Sequence, residues 1–263
     1  MASRTKQKEE ARARRLAEEQ ARAERARRDR RLRMIGGVIV LAVAILAVAI
    51  AVSSGGSSSG GGLQKGKQQS QTVASVTSLL GGIPQNGATL GNASAPVTMI
   101  YFGDLECPIC RDFTVNGGLS PLIRNEVKQG KVKIVYKAFQ TATRDPSVFK
   151  TQQVAALAAG EQQRFWDFAE LFYREQGAEG SGYVTDSYLQ NLAKQVPGLK
   201  LSQWESDRNN STLANQVASD VQAGTTAGVQ GTPTLVFTGP KGQTAIGTIA
   251  TYSQLQQAVK KVS

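Results

Sequence analysis

The stretch Val97-Thr-Met-Ile-Tyr-Phe-Gly-Asp-Leu-Glu-Cys107-Pro-Ile-Cys110 decides how this chain is read. Val97 to Phe102 is a short apolar run rich in strand formers, and it stops at Gly103. Pro108 suits the first turn of a helix, where the N–H it lacks would have no partner anyway. The sequence therefore predicts a strand that runs into a helix, with a C-x-x-C pair at the junction. Cys107 and Cys110 are the only cysteines among 263 residues, and there is no histidine. Such a pair can be half of a zinc site, a redox dithiol or an inert staple. Structural zinc takes four ligands, mostly from Cys and His, and two thiols exhaust that supply here. No metal is expected. A reactive dithiol is the favoured reading, with a small structural disulfide as the alternative.

Upstream, charge and hydropathy change abruptly. Residues 1–33 hold 13 Lys/Arg against 6 Asp/Glu, whereas residues 53–263 hold 18 against 14, so the net charge of +11 belongs mostly to the leader. A nucleic-acid partner for the whole chain is therefore unsupported. The leader has Glu–Arg pairs at i,i+4 (Glu10–Arg14, Glu18–Arg22, Glu24–Arg28) and no apolar stripe, which predicts a solvated cytoplasmic helix. Met34 to Val52 carries no charge over 19 residues. As a helix it would be roughly 28 Å long, about one hydrocarbon core. With Arg30, Arg31 and Arg33 before it, the positive-inside rule predicts a single-pass anchor in the cell membrane. The N-terminus would be cytoplasmic and everything after Val52 extracytoplasmic, where disulfides persist. A cleaved signal peptide is the competing reading of the same run. Residues 53–86 are Gly/Ser-rich and then polar, and read as a flexible linker.

The remaining chain, residues 87–263, reads as one folded domain. After the cysteines a helix is predicted through Arg111 to about Val127, with Gly117-Gly118 as a possible break. Lys131 to Phe139 alternates as a second strand. Asp145-Pro146 opens a helical stretch to about Gly224 that includes an aromatic core segment, Phe165 to Tyr173, and a capping box at Ser202-x-x-Glu205. Thr234 to Phe237 and Gln243 to Ile249 flank a Gly-Pro-Lys-Gly turn. Thr251-x-x-Gln254 caps the last helix. The order predicts an α/β domain, a mixed sheet with helices inserted over residues 145–224.

Phe102-Gly-Asp-Leu-Glu-Cys-Pro-Ile-Cys110 after a strand, Phe165-Trp166 in the insertion and Gly231-Thr-Pro-Thr234 before a hairpin together resemble DsbA-type thiol–disulfide oxidoreductases. The resemblance covers roughly Gly87 to Ser263 and implies a thioredoxin-like fold with an inserted helical subdomain. It implies that Cys107 and Cys110 are catalytic, with Pro108 and Ile109 completing the motif, and that no cofactor is needed. It also implies a cis peptide before Pro233, with Thr232 and Pro233 presenting backbone to an extended substrate. Two positions depart from the pattern. Histidine is common inside the motif, whereas Ile109 offers neither charge nor donor. An acidic residue usually stands six positions before the first cysteine, where this chain has Tyr101. Asp104 and Glu106 are read as solvated loop charges, with proton management in place of that acid as the alternative.

Three functions follow. The first is an extracytoplasmic oxidase that forms disulfides in secreted and cell-envelope proteins bearing reduced cysteines. As in the family, it would be reoxidised by a quinone-linked membrane partner of the DsbB or vitamin K epoxide reductase-like type. The second is a protein-disulfide reductase on the same scaffold. The third is a membrane-tethered binding module with a structural disulfide. In either enzymatic reading Cys107 is expected to stand exposed at a helix N-terminus, as a thiolate favoured by free N–H groups.

Overall fold

The computed structural model describes residues 63–247 and 249–263. The basic segment 1–33, the apolar run 34–52 and the linker to residue 62 lie outside the described residues. Among those described, no helix is long and apolar enough to cross a membrane.

The decisive stretch forms β3 (Val97–Gly103), with Val97, Met99 and Tyr101 buried and Thr98 and Ile100 half-buried, the period of two that a strand imposes. β4 (Val132–Ala138) runs parallel beside it, pairing Val97 with Val132 and Gly103 with Ala138. On the other side β5 (Thr234–Gly239) is antiparallel, with Tyr101 opposite Leu235. A hairpin adds β6 (Gly242–Ile246). Two short strands, β1 (Gln85–Asn86) and β2 (Thr89–Leu90), extend the far edge, giving a six-stranded order of β1-β2-β4-β3-β5-β6. Gly103 is required where β3 ends: a Cβ there would lie 2.7 Å from the Tyr136 ring.

A parallel pair needs a crossover. It is made by α2 (Pro108–Val115), α3 (Leu119–Leu122) and a π-helical turn (Ile123–Val127). The single helix expected from Arg111 to Val127 is thus broken at Gly117-Gly118. The Gly118 N–H leaves the helix to bond the Ala250 carbonyl at 3.1 Å. Between β4 and β5 come α4 (Pro146–Gly160), α5 (Phe165–Arg174), α6 (Asp186–Ala193), α7 (Leu201–Asp207) and α8 (Ser211–Thr226). Asp145 caps α4 as the sequence predicts, accepting from Ser147 N–H at 2.7 Å. The aromatic segment is core: Phe165, Phe168, Leu171 and Phe172 have no exposed surface. The Ser202 capping box does not form. Lys200 occupies the N-cap of α7 without a side-chain bond, and the chain turns at Arg208 to Asn210, where Asn210 caps a separate α8. α9 (Tyr252–Val262) carries the predicted Thr251/Gln254 capping box.

The linker expectation is corrected from Leu63 onward. Gly66–Leu80 is a helix, α1, and Val76, Leu79 and Leu80 are buried, with Val73 packed beside them. Its Gln- and Ser-rich composition hides an apolar stripe at helical spacing that lies on the domain core. The Gln64 N–H also donates to Glu175 Oε2 at 2.6 Å. Among the described residues, folded structure therefore extends back to residue 63, where the sequence expected it to begin near 87. Leu79→Ala removes a side chain that is 3 % exposed. It is expected to lower the unfolding free energy by about 2–5 kcal/mol, measured by urea denaturation, where a residue in a loose tether would change it negligibly.

Candidate active site

Cys107 stands between β3 and α2 and is the N-cap of that helix, with φ −70° and ψ 117°. Its sulfur accepts the Cys110 N–H at 3.2 Å, taking one of the donors that a helix start leaves unpaired. Pro108 follows at the first helical position, as expected. Both cysteines are free thiols. Cys110 lies one turn in and is fully buried, beneath Cys107.

The two sulfurs are acidified unequally. Cys107 is lowered from 9.0 to about 7, first by a hydrogen bond from the Cys110 thiol. Burial opposes that shift, while the Thr232 hydroxyl and the N–H groups of Cys110 and Ile109 reinforce it. Cys110 is pushed well above 9.0, first by its burial and then by the hydrogen bond and charge of Cys107. A single negative charge is thus favoured on the outer sulfur. Ile109 contributes its backbone N–H and leaves its side chain 47 % exposed beside the pair.

Pro233 enters β5 from a loop packed against this sulfur, and the Thr232–Pro233 peptide is cis, as expected. The Cys107 thiol donates to the Thr232 carbonyl at 3.4 Å. That contact corrects one expectation. Cys107 is only 4 % exposed, because the cap geometry and the Thr232 loop turn its sulfur inward. The residues of the motif that reach solvent are Pro108 and Ile109.

Asp104 and Glu106 are also corrected, since both are buried rather than solvated. Asp104 Oδ2 accepts the N–H groups of Thr141, Ala142 and Thr143, each at 2.9 Å. Its Oδ1 accepts the Thr143 hydroxyl at 2.6 Å and the Glu106 N–H at 3.1 Å. Five donors replace the water that burial removes. Burial raises the Glu106 carboxyl above its usual value. Tyr101, standing where an acid was anticipated, is buried with its hydroxyl 3.5 Å from the Cys110 carbonyl, 3.3 Å from Thr114 Oγ1 and 3.4 Å from the Tyr173 hydroxyl. Tyr173 in turn donates to the Asp104 carbonyl at 3.3 Å. Burial raises Tyr101, Tyr136 and Tyr173 well above 10.0, so all three phenols are neutral, and Tyr101 and Tyr173 act as donors while the Tyr136 hydroxyl has no partner. Gln176 steadies the loop from below, donating to the carbonyls of Leu105 at 2.7 Å and Cys107 at 3.2 Å. Gln176 and Thr141 had no signal in the sequence, because each is distant in the chain and lies in no motif, and Tyr173 was legible only as the end of the aromatic core segment. Among the described residues no cluster of His, Cys, Asp or Glu could hold a metal ion.

An exposed apolar flank, an acidified outer sulfur and a protonated inner one make a dithiol able to form and release a mixed disulfide. Comparison with known proteins agrees. Residues 84–261 match the family described as Thioredoxin. Disulfide bond formation protein D of Bacillus subtilis is 28 % identical over 203 residues, which is 75 % of this chain and 84 % of that protein. A probable disulfide bond formation protein D of Bacillus anthracis is 29 % identical over 159 residues, 57 % of this chain and 69 % of the other. The crystal structure of oxidised BdbD from Bacillus subtilis shares the fold with a TM-score of 0.58 and 24 % identity, covering 68 % of this chain and 95 % of that one. Pseudomonas aeruginosa DsbA2 does so with a TM-score of 0.54 and 21 % identity, over 68 % of this chain and 95 % of its own. The chain belongs to the thioredoxin family, as a thiol–disulfide oxidoreductase of the DsbA type.

Proposed function

We propose that this oxidoreductase works as an oxidase outside the cytoplasm, forming disulfides in secreted and cell-envelope proteins through Cys107 and Cys110. The observation that carries the reading is the inequality of the two sulfurs, about 7 at Cys107 against well above 9.0 at Cys110. Stabilising the thiolate stabilises the reduced form, and a stable reduced form makes the disulfide a stronger oxidant.

The steps follow from that inequality. A client thiolate attacks Cys107 Sγ of the disulfide form, the Cys107–Cys110 bond breaks, and Cys110 leaves with the electron pair and takes up a proton. Cys110, held protonated, is a poor nucleophile for attacking back. A second client thiolate then attacks the client sulfur of the mixed disulfide. Cys107 departs as the lower-pKa, better leaving group. The client gains a disulfide, two electrons remain on the Cys107/Cys110 pair, and the client thiols give up two protons. Thr232 and Pro233 lie beside the sulfur where an extended client chain would pair with backbone, and Ile109 offers it an apolar contact.

The apolar run 34–52 would anchor the domain by a single span, with the basic segment inside. A quinone-linked membrane reoxidase of DsbB or vitamin K epoxide reductase-like type would remove the electrons. A reductase would use the same inequality, an outer thiolate that attacks and an inner thiol that releases the client, so the reduction potential separates the two. Without a histidine in the motif, the thiolate depends on the helix start and its neighbours. The reduction potential is accordingly expected between that of thioredoxin, about −270 mV, and the strongly oxidising DsbA example, about −120 mV, in a glutathione equilibrium.

Two measurements test this. Cys107→Ser is expected to abolish oxidation of a reduced client, whereas Cys110→Ala accumulates mixed disulfides with clients on non-reducing gels; unimpaired activity of Cys107→Ser refutes the reading. The pH dependence has a definite sign. Because the folded value of Cys107 lies below its unfolded 9.0, the reduced protein gains stability as pH rises from about 7 to 9, and loses that gain as pH falls through about 7. Ultraviolet thiolate absorbance is expected to show a midpoint near 7, with Cys110 silent until far higher pH. A midpoint at an ordinary thiol value would remove the basis for an oxidase.

A further inference from the structure

The Asp104 carboxyl group is buried in a position no part of the thiol exchange uses. Its five hydrogen bonds fasten residues 141–143, the loop that follows β4, to the end of β3. Gln152 Nε2 adds a bond to Thr143 Oγ1 at 2.7 Å, so that hydroxyl accepts from Gln152 and donates to Asp104. The loop is thereby fixed on one side only. Its other side presents Thr141, whose hydroxyl lies 2.5 Å from the Thr232 hydroxyl.

These bonds close a ring around the sulfur. The Cys107 N–H donates to the Asp104 carbonyl at 3.1 Å. Asp104 Oδ2 holds the Thr141 N–H at 2.9 Å. Thr141 meets Thr232 hydroxyl to hydroxyl, and the Thr232 carbonyl accepts from Cys107 Sγ at 3.4 Å. Ionisation of Cys107 removes the hydrogen of that last bond and leaves a thiolate facing a carbonyl oxygen. The sulfur then needs a donor on the same side. The Thr232 hydroxyl has one hydrogen, and it is free for the sulfur only if Thr141 supplies the hydrogen shared between the two hydroxyls.

We propose that Asp104 and Thr141 are positioning residues for the thiol exchange, acting through the Thr232 hydroxyl to aim a hydrogen-bond donor at the Cys107 sulfur. The proposal rests on the reading of Cys107 as the reacting atom. Asp104 sets the place of Thr141, Thr141 sets the direction of the Thr232 hydroxyl, and the Thr232 hydroxyl stabilises the thiolate. Charge-assisted bonds of this kind are the stronger ones.

The test compares Thr141→Val, Thr141→Ser and Asp104→Asn in the full chain, reading the thiolate midpoint, the alkylation rate of the reduced protein at neutral pH, and the unfolding midpoint. Thr141 is exposed, so its variants leave the core intact. Thr141→Val is expected to raise the thiolate midpoint by roughly half a pKa unit, which from a midpoint near 7 slows alkylation at neutral pH about twofold. Thr141→Ser keeps the hydroxyl and is expected to retain the parental midpoint. Asp104→Asn, whose amide sets an N–H against N–H donors, shifts the midpoint in the same direction. Combined with Thr141→Val it adds little, as expected for members of one path. If Asp104→Asn does not fold, the Thr141 pair decides. An unchanged midpoint in Thr141→Val, or an equal shift in Thr141→Ser, overturns the proposal and leaves the ring as scaffold. Client oxidation by Cys107→Ser separates the two levels: activity surviving there refutes the functional reading, whatever the Thr141 titrations show.

Discussion

A sulfur that caps its own helix is the constraint on which this site depends. Capping requires the residue to keep an extended backbone while its side chain turns back to the third N–H of the helix. Cys107 meets both conditions, because it lies where the chain leaves β3 and Pro108 begins α2. The residue three positions on is Cys110, so the donor that binds the sulfur belongs to its redox partner. The C-x-x-C spacing, the proline and the strand–helix junction are therefore one geometric device. Moving Cys107 by one position would separate its sulfur from that backbone N–H, and moving Cys110 would take the inner thiol from beneath it.

Beneath the pair, burial without a carboxylate produces the inequality. Tyr101 occupies the strand position where an acid would lie next to Cys110, and its hydroxyl is shared among Thr114, Tyr173 and the Cys110 carbonyl. Edge-to-face contacts of Tyr101 with Phe113 and Tyr136 complete a packed aromatic floor. Such a floor offers hydrogens and no base. The inner thiol keeps its proton and lends it in a hydrogen bond to the outer sulfur, which is the leading cause of the lowered value at Cys107. A carboxylate at position 101 would compete for that proton and bring a like charge toward the thiolate. The tyrosine thus favours one stable thiolate over rapid proton exchange between two thiols.

Much of this was legible because it is local. The strand, the proline-started helix, the dithiol, the Thr-Pro loop and the caps at Asp145 and Thr251 are all encoded within a few residues of where they act. What escaped the sequence depends on partners far along the chain. Asp104 looks like a loop charge until residues 141–143 deliver their N–H groups to it, and nothing near Asp104 announces them. The polar composition of residues 63–80 obscured a helix whose few apolar residues happen to share one face. Around Trp204 the sequence predicts a helical stretch without the break that separates α7 from α8. The Trp204 indole N–H bonds the Ala155 carbonyl at 2.8 Å, which anchors a short α7 and leaves Asn210 to start another.

The convergence of three distant segments on one sulfur is a consequence of sheet topology. β3 and β4 are parallel, so the chain leaves both at the same end, from Gly103 beside Ala138. β5 is antiparallel to β3, so it enters where they leave, with Thr234 opposite Phe102. Two strand exits and one strand entrance therefore meet at a single edge: the Asp104 loop, the Thr141 loop and the Thr232–Pro233 loop. Were β4 antiparallel to β3, residues 139–143 would emerge at the opposite end of the sheet, and Asp104 would be a buried carboxyl group without its three backbone donors. Were β5 parallel, the Thr232 loop would be carried away from the dithiol in the same manner. The mixed sheet brings these three loops to Cys107 before any side chain makes a choice, and the helical insertion, which adds Gln176 to the Cys107 carbonyl, can lengthen the connection between β4 and β5 without disturbing where either loop begins or ends.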